Sequence, residues 1–277
     1  MLRYPKVTTL KSALSFYLIL VSVVLGAKPD EAERYASLQS VLPFIEEKDI
    51  PLSYVIDLFS SDSLELYEDI PDKFEYAYEK KNYSSYKKLF VTRKRINDGV
   101  AFYNKNVEII KAVYDSLGVD PFLILSISGI ESNFGAHPGK YEVFNALYTI
   151  VSSIPKRKNW ASKELAEFID YCYRDNVQAY SVTGSYAGAF GFGQFIPSSF
   201  NRYTVDFDSD GVRRFNEWGD VLASISNYLL KNGYETGGPF TKGSRNWKSV
   251  YAYNHSENYV RAVLDLRLEY KERITKN

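Results

Sequence analysis

The sequence predicts an all-α fold. Three observations carry that reading: apolar residues recur at helical spacing in segment after segment, aspartate, proline and glycine stand where helices would start and stop, and no stretch sustains the alternation of a strand. The first helix is expected over Glu31–Lys48, where Leu38, Val41, Leu42 and Ile45 share a face. Pro51-Leu52-Ser53 opens a short helix through Phe59. Residues 60–92 are polar and tyrosine-rich, with Pro71 as a breaker, and predict short helices joined by loops. Arg93–Leu117 reads as one long amphipathic helix closed by Gly118, a residue suited to the left-handed position past a helix end.

Asp120-Pro121 restarts the chain, because aspartate caps a helix N-terminus and proline is tolerated at the first helical position. Phe122, Leu123, Leu125, Ile127 and Ile130 make this helix apolar on several sides, which predicts a buried central element. Further helices are expected over Val143–Ile154 and Ser162–Arg174. Residues 181–193 are rich in Gly, Ala and Ser, and Pro197-Ser198-Ser199 interrupts the pattern after them. Asp220–Lys231 is amphipathic through Val221, Leu222, Ile225, Tyr228 and Leu229, with Gly233 closing it, and a last helix runs over Glu257–Glu269. No internal repeat or low-complexity segment interrupts the series.

Composition narrows the function. Of 277 residues, 45% are hydrophobic and 25% charged, ordinary values for a globular chain. Lysine plus arginine and aspartate plus glutamate both number 34, so no overall positive field recruits nucleic acid. Aromatic content of 16% suits a sugar-binding groove or a tyrosine-rich core. At the N-terminus, Arg3, Lys6 and Lys11 precede an apolar run from Ala13 to Leu25, followed by Gly26 and Ala27. Residues 1–27 therefore read as a signal peptide or an uncleaved signal anchor, which implies export and membrane attachment only through that segment. Cys172 is the only cysteine, cannot form an internal disulfide, and reads as a small core residue.

Two features carry chemistry. Glu131 ends the most hydrophobic helix, with Ile127 one turn back and Phe134 three residues ahead. Loss of water disfavours the charged carboxylate and raises its pKa, and an acid that keeps its proton near neutrality can donate it to a leaving oxygen. A structural glutamate that caps a helix or pairs with arginine would fit the same position. The second feature is Asp206, Asp208 and Asp210 on alternate residues, followed by Gly211, which is how an EF-hand loop begins; Val212 would add its carbonyl. Glu217 stands where a twelve-residue loop places its closing glutamate, and Asx turns without metal are the alternative. With His137 and His255 solitary, no zinc site is apparent.

The segment Gly129-Ile130-Glu131-Ser132-Asn133-Phe134-Gly135 resembles the catalytic helix end of lytic transglycosylases with a lysozyme-like fold. Residues 184–199, from Gly184-Ser185-Tyr186 through Gly193-Gln194-Phe195 to Ser199, resemble the signature of the membrane-bound lytic murein transglycosylase B family. Asp206–Gly211 and Tyr251-Ala252-Tyr253-Asn254 follow in that family's order, so the similarity spans roughly residues 35–268. The resemblance implies a lysozyme-like catalytic core over 119–277 with an EF-hand-like loop at 206–220, and an additional helical region over 28–118. It implies cleavage of the β-1,4 bond between N-acetylmuramic acid and N-acetylglucosamine in peptidoglycan, with closure of a 1,6-anhydro ring. Glu131 would be the single acid and base, with no catalytic cofactor. Most glycosidases instead flank the bond with two carboxylates.

Ser185 and Gln194 match positions of that family that contact the sugar or position the catalytic carboxyl, Asn254 matches one that orients substrate, Tyr253 beside it could stack on a sugar ring, and Tyr186 is a further substrate-binding candidate. Ser185 as a turn hydroxyl, Gln194 as a backbone clamp and Asn254 as a helix cap are the structural alternatives. The resemblance also favours Asp220 over Glu217 as the closing ligand of a structural Ca2+. The N-terminal segment implies the periplasm or cell envelope, and a monomer acting on glycan strands is expected. Ser128-Gly129 departs from the aromatic-glycine pair usual before the glutamate, residues 155–160 are more basic than usual, and 60–92 matches loosely. A lysozyme-type hydrolase with the same acid, or a non-catalytic wall-binding protein, remain as competing readings.

Overall fold

Residues 29–75 and 82–276 are described by the computed structural model; residues 1–27, expected to form a signal peptide or signal anchor, lie outside them. The chain is helical as expected. In order, α1 spans Pro29–Ile45, α2 Leu52–Ser60, α3 Ile70–Glu75, α4 Tyr83–Phe90, α5 Arg93–Lys105, α6 Val107–Leu117 and α7 Pro121–Ser132. After them come α8 over Val143–Ser153, α9 over Lys158–Arg174, α10 over Pro197–Tyr203, α11 over Trp218–Lys231, α12 over Arg245–Tyr253 and α13 over Glu257–Thr275. The two strands, β1 (Tyr141–Glu142) and β2 (Thr183–Gly184), pair antiparallel with Tyr141 opposite Gly184. Two residues apiece are too few to leave an alternating signature.

The long helix expected over Arg93–Leu117 is two helices broken at Asn106. There φ is −120°, the backbone N–H reaches the carbonyls of Phe102 and Tyr103, and the side-chain amide also donates to Phe102. Asparagine competes for its own backbone, which ends one helix and starts the next. Pro197, read as an interruption, instead begins α10, where its missing N–H costs nothing.

The described residues divide into two interleaved compact units, one holding 29–74 with Lys140–Gly188, the other 75, 82–139 and 189–276. Residue 118, where the sequence suggests a boundary, falls inside the second unit. In the first unit, Val41 and Ile45 of α1, Phe144, Leu147 and Ile150 of α8, and Leu165, Phe168 and Ile169 of α9 are buried together with Phe59. Phe59 meets Phe144 edge-on at 5.5 Å. Two buried polar residues of α8 hold the tyrosine-rich loop: Asn145 accepts from Glu65 N–H and donates to the Ser63 carbonyl, and Thr149 Oγ1 accepts from Tyr67 N–H. Each would be costly to bury without those partners.

The second unit is built around α7, whose residues Leu123 to Gly129 are all buried. Asp120 caps it through one oxygen, accepting from Phe122 and Leu123 N–H, and takes Arg267 Nε at 2.9 Å on the other. The cap thus ties the start of α7 to α13. Ile96 of α5, Leu125 of α7, and Leu266 and Tyr270 of α13 form one buried cluster. Tyr270, fully buried, donates its hydroxyl to the Arg95 carbonyl and passes close to Gly99 and Gly129.

Candidate active site

Glu131 is the penultimate residue of α7. The helix stops there because Asn133, Phe134 and Gly135 are all left-handed, with φ of 49°, 56° and 82°. Their cost is offset by local bonds: Gly135 N–H donates to Ser132 Oγ at 3.0 Å, and His137 N–H to the Ser132 carbonyl at 2.8 Å. Phe134 folds back over Gly129, where a Cβ would lie 2.9 Å from its ring, and stacks on Phe102. Gly129 is therefore small because the aromatic ring three residues after the glutamate occupies its space.

Tyr259, in the first turn of α13, donates its hydroxyl to Glu131 Oε1 at 2.6 Å. It is the carboxylate's only hydrogen-bond partner among the described residues, and no arginine or lysine pairs with it. The surrounding protein lifts the Glu131 pKa from 4.5 to about 7, against the opposing pull of the Tyr259 hydrogen bond on the charged form. The residue as a whole keeps part of its surface accessible. Tyr259 itself is pushed well above the usual phenol range, first by burial and then by the neighbouring carboxylate, so it stays a donor.

Tyr253, at the end of α12, lies parallel to Tyr259 with ring centres 6.5 Å apart. Its hydroxyl donates to the Gly193 carbonyl at 2.6 Å, and burial followed by the charge of Glu131 raises its pKa well above the ordinary value. Its visible work is to fasten the glycine-rich loop beside the acid. Asn254 caps α12 through its backbone; its side-chain amide, half-buried, makes no hydrogen bond to protein among the described residues.

Gln194 sits at φ 48° in the tight loop closed by the Phe190–Phe195 bridge. Its amide nitrogen donates to the Pro138 and Gly191 carbonyls, both at 2.8 Å. It is thus a backbone clamp joining the loop to the turn that ends α7. Gly191 makes that loop feasible: its φ is 73°, and a Cβ would stand 2.5 Å from the Phe215 carbonyl oxygen.

Ser185 and Tyr186 belong to the first unit, directly after β2. Ser185 forms a turn, its Oγ accepting from Ala187 N–H and its carbonyl from Gly188 N–H. Tyr186 packs edge-on against Phe74 at 5.1 Å.

The aspartate loop brings three carboxylates together. Carboxylate oxygens of Asp206, Asp208 and Asp220 lie within 4.8 Å of one another, a span compatible with shared oxygen ligation at 2.3–2.6 Å. Asp220, buried, accepts from Phe207 N–H on one oxygen and Arg214 N–H on the other, which draws the two ends of the loop together. Asp206 accepts from Asp210 and Gly211 N–H. Asp210 pairs with Arg214, which also reaches Glu217 at 3.4 Å; Val212 is exposed, its N–H on Asp210.

Tyr259 is the residue that sequence reasoning missed. Only a tyrosine three residues after the Ser256 cap marks it, and nothing in helical periodicity links it to an acid 128 positions away.

Residues 36–243 match the family described as the transglycosylase SLT domain. The chain is 34% identical over 154 residues to membrane-bound lytic murein transglycosylase B of Escherichia coli (strain K12); that alignment takes in 55% of this chain and spans 42% of the relative's length. The soluble lytic transglycosylase SltB1 of Pseudomonas aeruginosa shares the fold with a TM-score of 0.79 and 27% identity, covering 86% of this chain and 99% of that one. The Escherichia coli lytic transglycosylase Slt35, solved in complex with calcium, matches with a TM-score of 0.77 at 22% identity, covering 86% and 93%.

Proposed function

The chain belongs to the transglycosylase SLT-domain family, and from that premise we propose that it is a lytic transglycosylase acting on peptidoglycan glycan strands. The observation that carries this reading is Glu131: an acid with its pKa raised to about 7, held by a single phenol, with neither a second carboxylate nor a cation bonded to it. In its protonated form it donates to the oxygen of the β-1,4 bond on the N-acetylmuramic acid side. The carboxylate left behind then takes the proton from the muramoyl 6-hydroxyl as that oxygen closes on C1. One group does both steps, so the proton count returns to its start and no water is consumed.

Ser185, Tyr186, Gln194, Tyr253 and Asn254 are proposed to line the strand's path. The unpartnered Asn254 amide suits an acetamido or hydroxyl group, whereas Gln194 and Tyr253 act first by fixing the loop at 191–194. Asp206, Asp208 and Asp220 would hold a structural Ca2+, with Asp210 and the Val212 carbonyl joining once Asp210 leaves Arg214; the ion pins the loop and takes no part in catalysis. Export to the periplasm or cell envelope is part of the same proposal, with residues 1–27 acting either as a cleaved signal peptide or as an uncleaved anchor.

Mass spectrometry of fragments released from purified peptidoglycan tests the activity. Ends bearing a 1,6-anhydro ring, absent with Glu131→Gln, are the expected result. Reducing ends would assign the chain to hydrolysis, and intact strands despite tight binding would leave a wall-binding protein.

A further inference from the structure

Helix α12 carries a second aromatic feature on a face that the acid site does not use. Its inner face is Asn246, Ser249 and Val250, all buried, continued by Tyr253. Trp247 and Tyr251, one turn apart, fall outside that face and are half-buried. Their rings lie nearly parallel, 13° apart with centres at 5.1 Å, and His255 adds an edge 5.3 Å beyond Tyr251. Trp247 and Tyr251 are thus stacked face on face along the helix, and His255, just past its end, closes the cluster edge-on at 73°. Neither the Trp247 indole N–H nor the Tyr251 hydroxyl has a hydrogen-bond partner in the protein among the described residues.

We propose that the Trp247–Tyr251–His255 cluster is an outer sugar-binding subsite, which carries the glycan strand beyond the rings that flank the cut bond. This rests on the functional reading above. Three observations select a sugar strand as the occupant. Aromatic faces with unfilled donors at their rims match a pyranose ring, which offers C–H groups on its faces and hydroxyls around its edge. Lys242 and Arg245 are engaged by Glu257 at 2.8 Å and Glu235 at 3.9 Å, which leaves exposed Lys248 as the one cation beside the rings without an ion pair among the described residues, too little charge to select a strongly acidic ligand. The cluster is also close to the acid site in the chain: Tyr251 stands two residues before Tyr253, whose ring faces the Tyr259 that holds Glu131.

The test compares peptide-free glycan strands of many disaccharides with the corresponding tetrasaccharide. Trp247→Ala and Tyr251→Ala should each raise KM on the long strands by about fivefold, with kcat unchanged, while kinetics on the tetrasaccharide stay at wild-type values. Trp247→Phe, which keeps a ring, should retain most of the affinity. Equal losses on both substrates, or no loss on long strands, would overturn the assignment. A binding readout separates this inference from the activity: retention on insoluble strands is measured in a Glu131→Gln background. If wild-type protein cuts neither substrate but Trp247→Ala still abolishes retention, the proposed activity fails and the subsite stands. Retention unaffected by either alanine substitution rejects the subsite.

Discussion

At Glu131 two influences oppose each other, and their balance sets the working pH. Burial holds the proton on; the Tyr259 hydroxyl stabilises the carboxylate and helps it leave. A general acid of this kind works only while protonated, so activity should fall as pH rises through about 7. Tyr259→Phe removes the bond to the charged form, raises the pKa further, and should move that alkaline limb upward; a rate profile across pH reads the shift. The same group couples pH to stability. Between pH 4.5 and about 7 the folded protein keeps a proton that the unfolded chain has lost, so stability declines with pH over that window, by at most about 3 kcal/mol, and levels off above it. Glu131→Gln carries no such proton, and thermal melts should show its advantage over wild type at pH 8 shrinking towards pH 5. The glutamate itself is legible in sequence, from its apolar helix and from the residues around it. Its partner is not, because a phenol's reach across 128 positions leaves no local pattern.

Among the elements, α5, α7 and α13 meet at Tyr270, and the meeting depends on two glycines. A Cβ on Gly99 would lie 2.3 Å from the Tyr270 ring, which is fully buried and has nowhere to retreat. Alanine favours helices over glycine by about 1 kcal/mol, yet overpacking a core costs about 1–3 kcal/mol. Gly99→Ala should therefore lower stability by about 1 kcal/mol or more, read as a fall in the denaturant midpoint, and a gain would mean that Tyr270 repacks freely. Here sequence reading is uneven. The start of α7 follows from Asp120-Pro121 and its apolar run. The break at Asn106 does not, since apolar spacing continues through it on both sides and only the folded backbone shows the asparagine bonding to Phe102. The role of Gly129 was hidden for a similar reason: Phe134 reaches it only because the chain reverses through left-handed residues at Asn133, Phe134 and Gly135.

For the molecule as a whole, the all-α class was plain from spacing and punctuation, whereas the interleaving of the two units was not. Residues 82–118 join 119–139 and 189–276 through contacts such as Ile96 with Tyr270, and no composition shift announces a partnership between segments so distant. The aspartate loop is the feature most exposed to solution conditions. With Ca2+ at about a hundredfold above its Kd, binding adds about 2.7 kcal/mol, so chelation should lower Tm by roughly 5–10 °C. Asp220→Ala should show the lower Tm regardless of added calcium, and a melt indifferent to both would argue against an occupied loop.

The accessible surface left on Glu131 has one more consequence. A ring settling over the acid strips away the last solvent from it, so the empty enzyme and the loaded one should titrate differently. The loaded form grips its proton harder, until the oxygen that receives it arrives. The rate at saturating substrate should then hold up to a higher pH than the second-order rate constant, which reports the empty enzyme. Timing of this kind needs no moving lid: the substrate completes the desolvation that the fold begins.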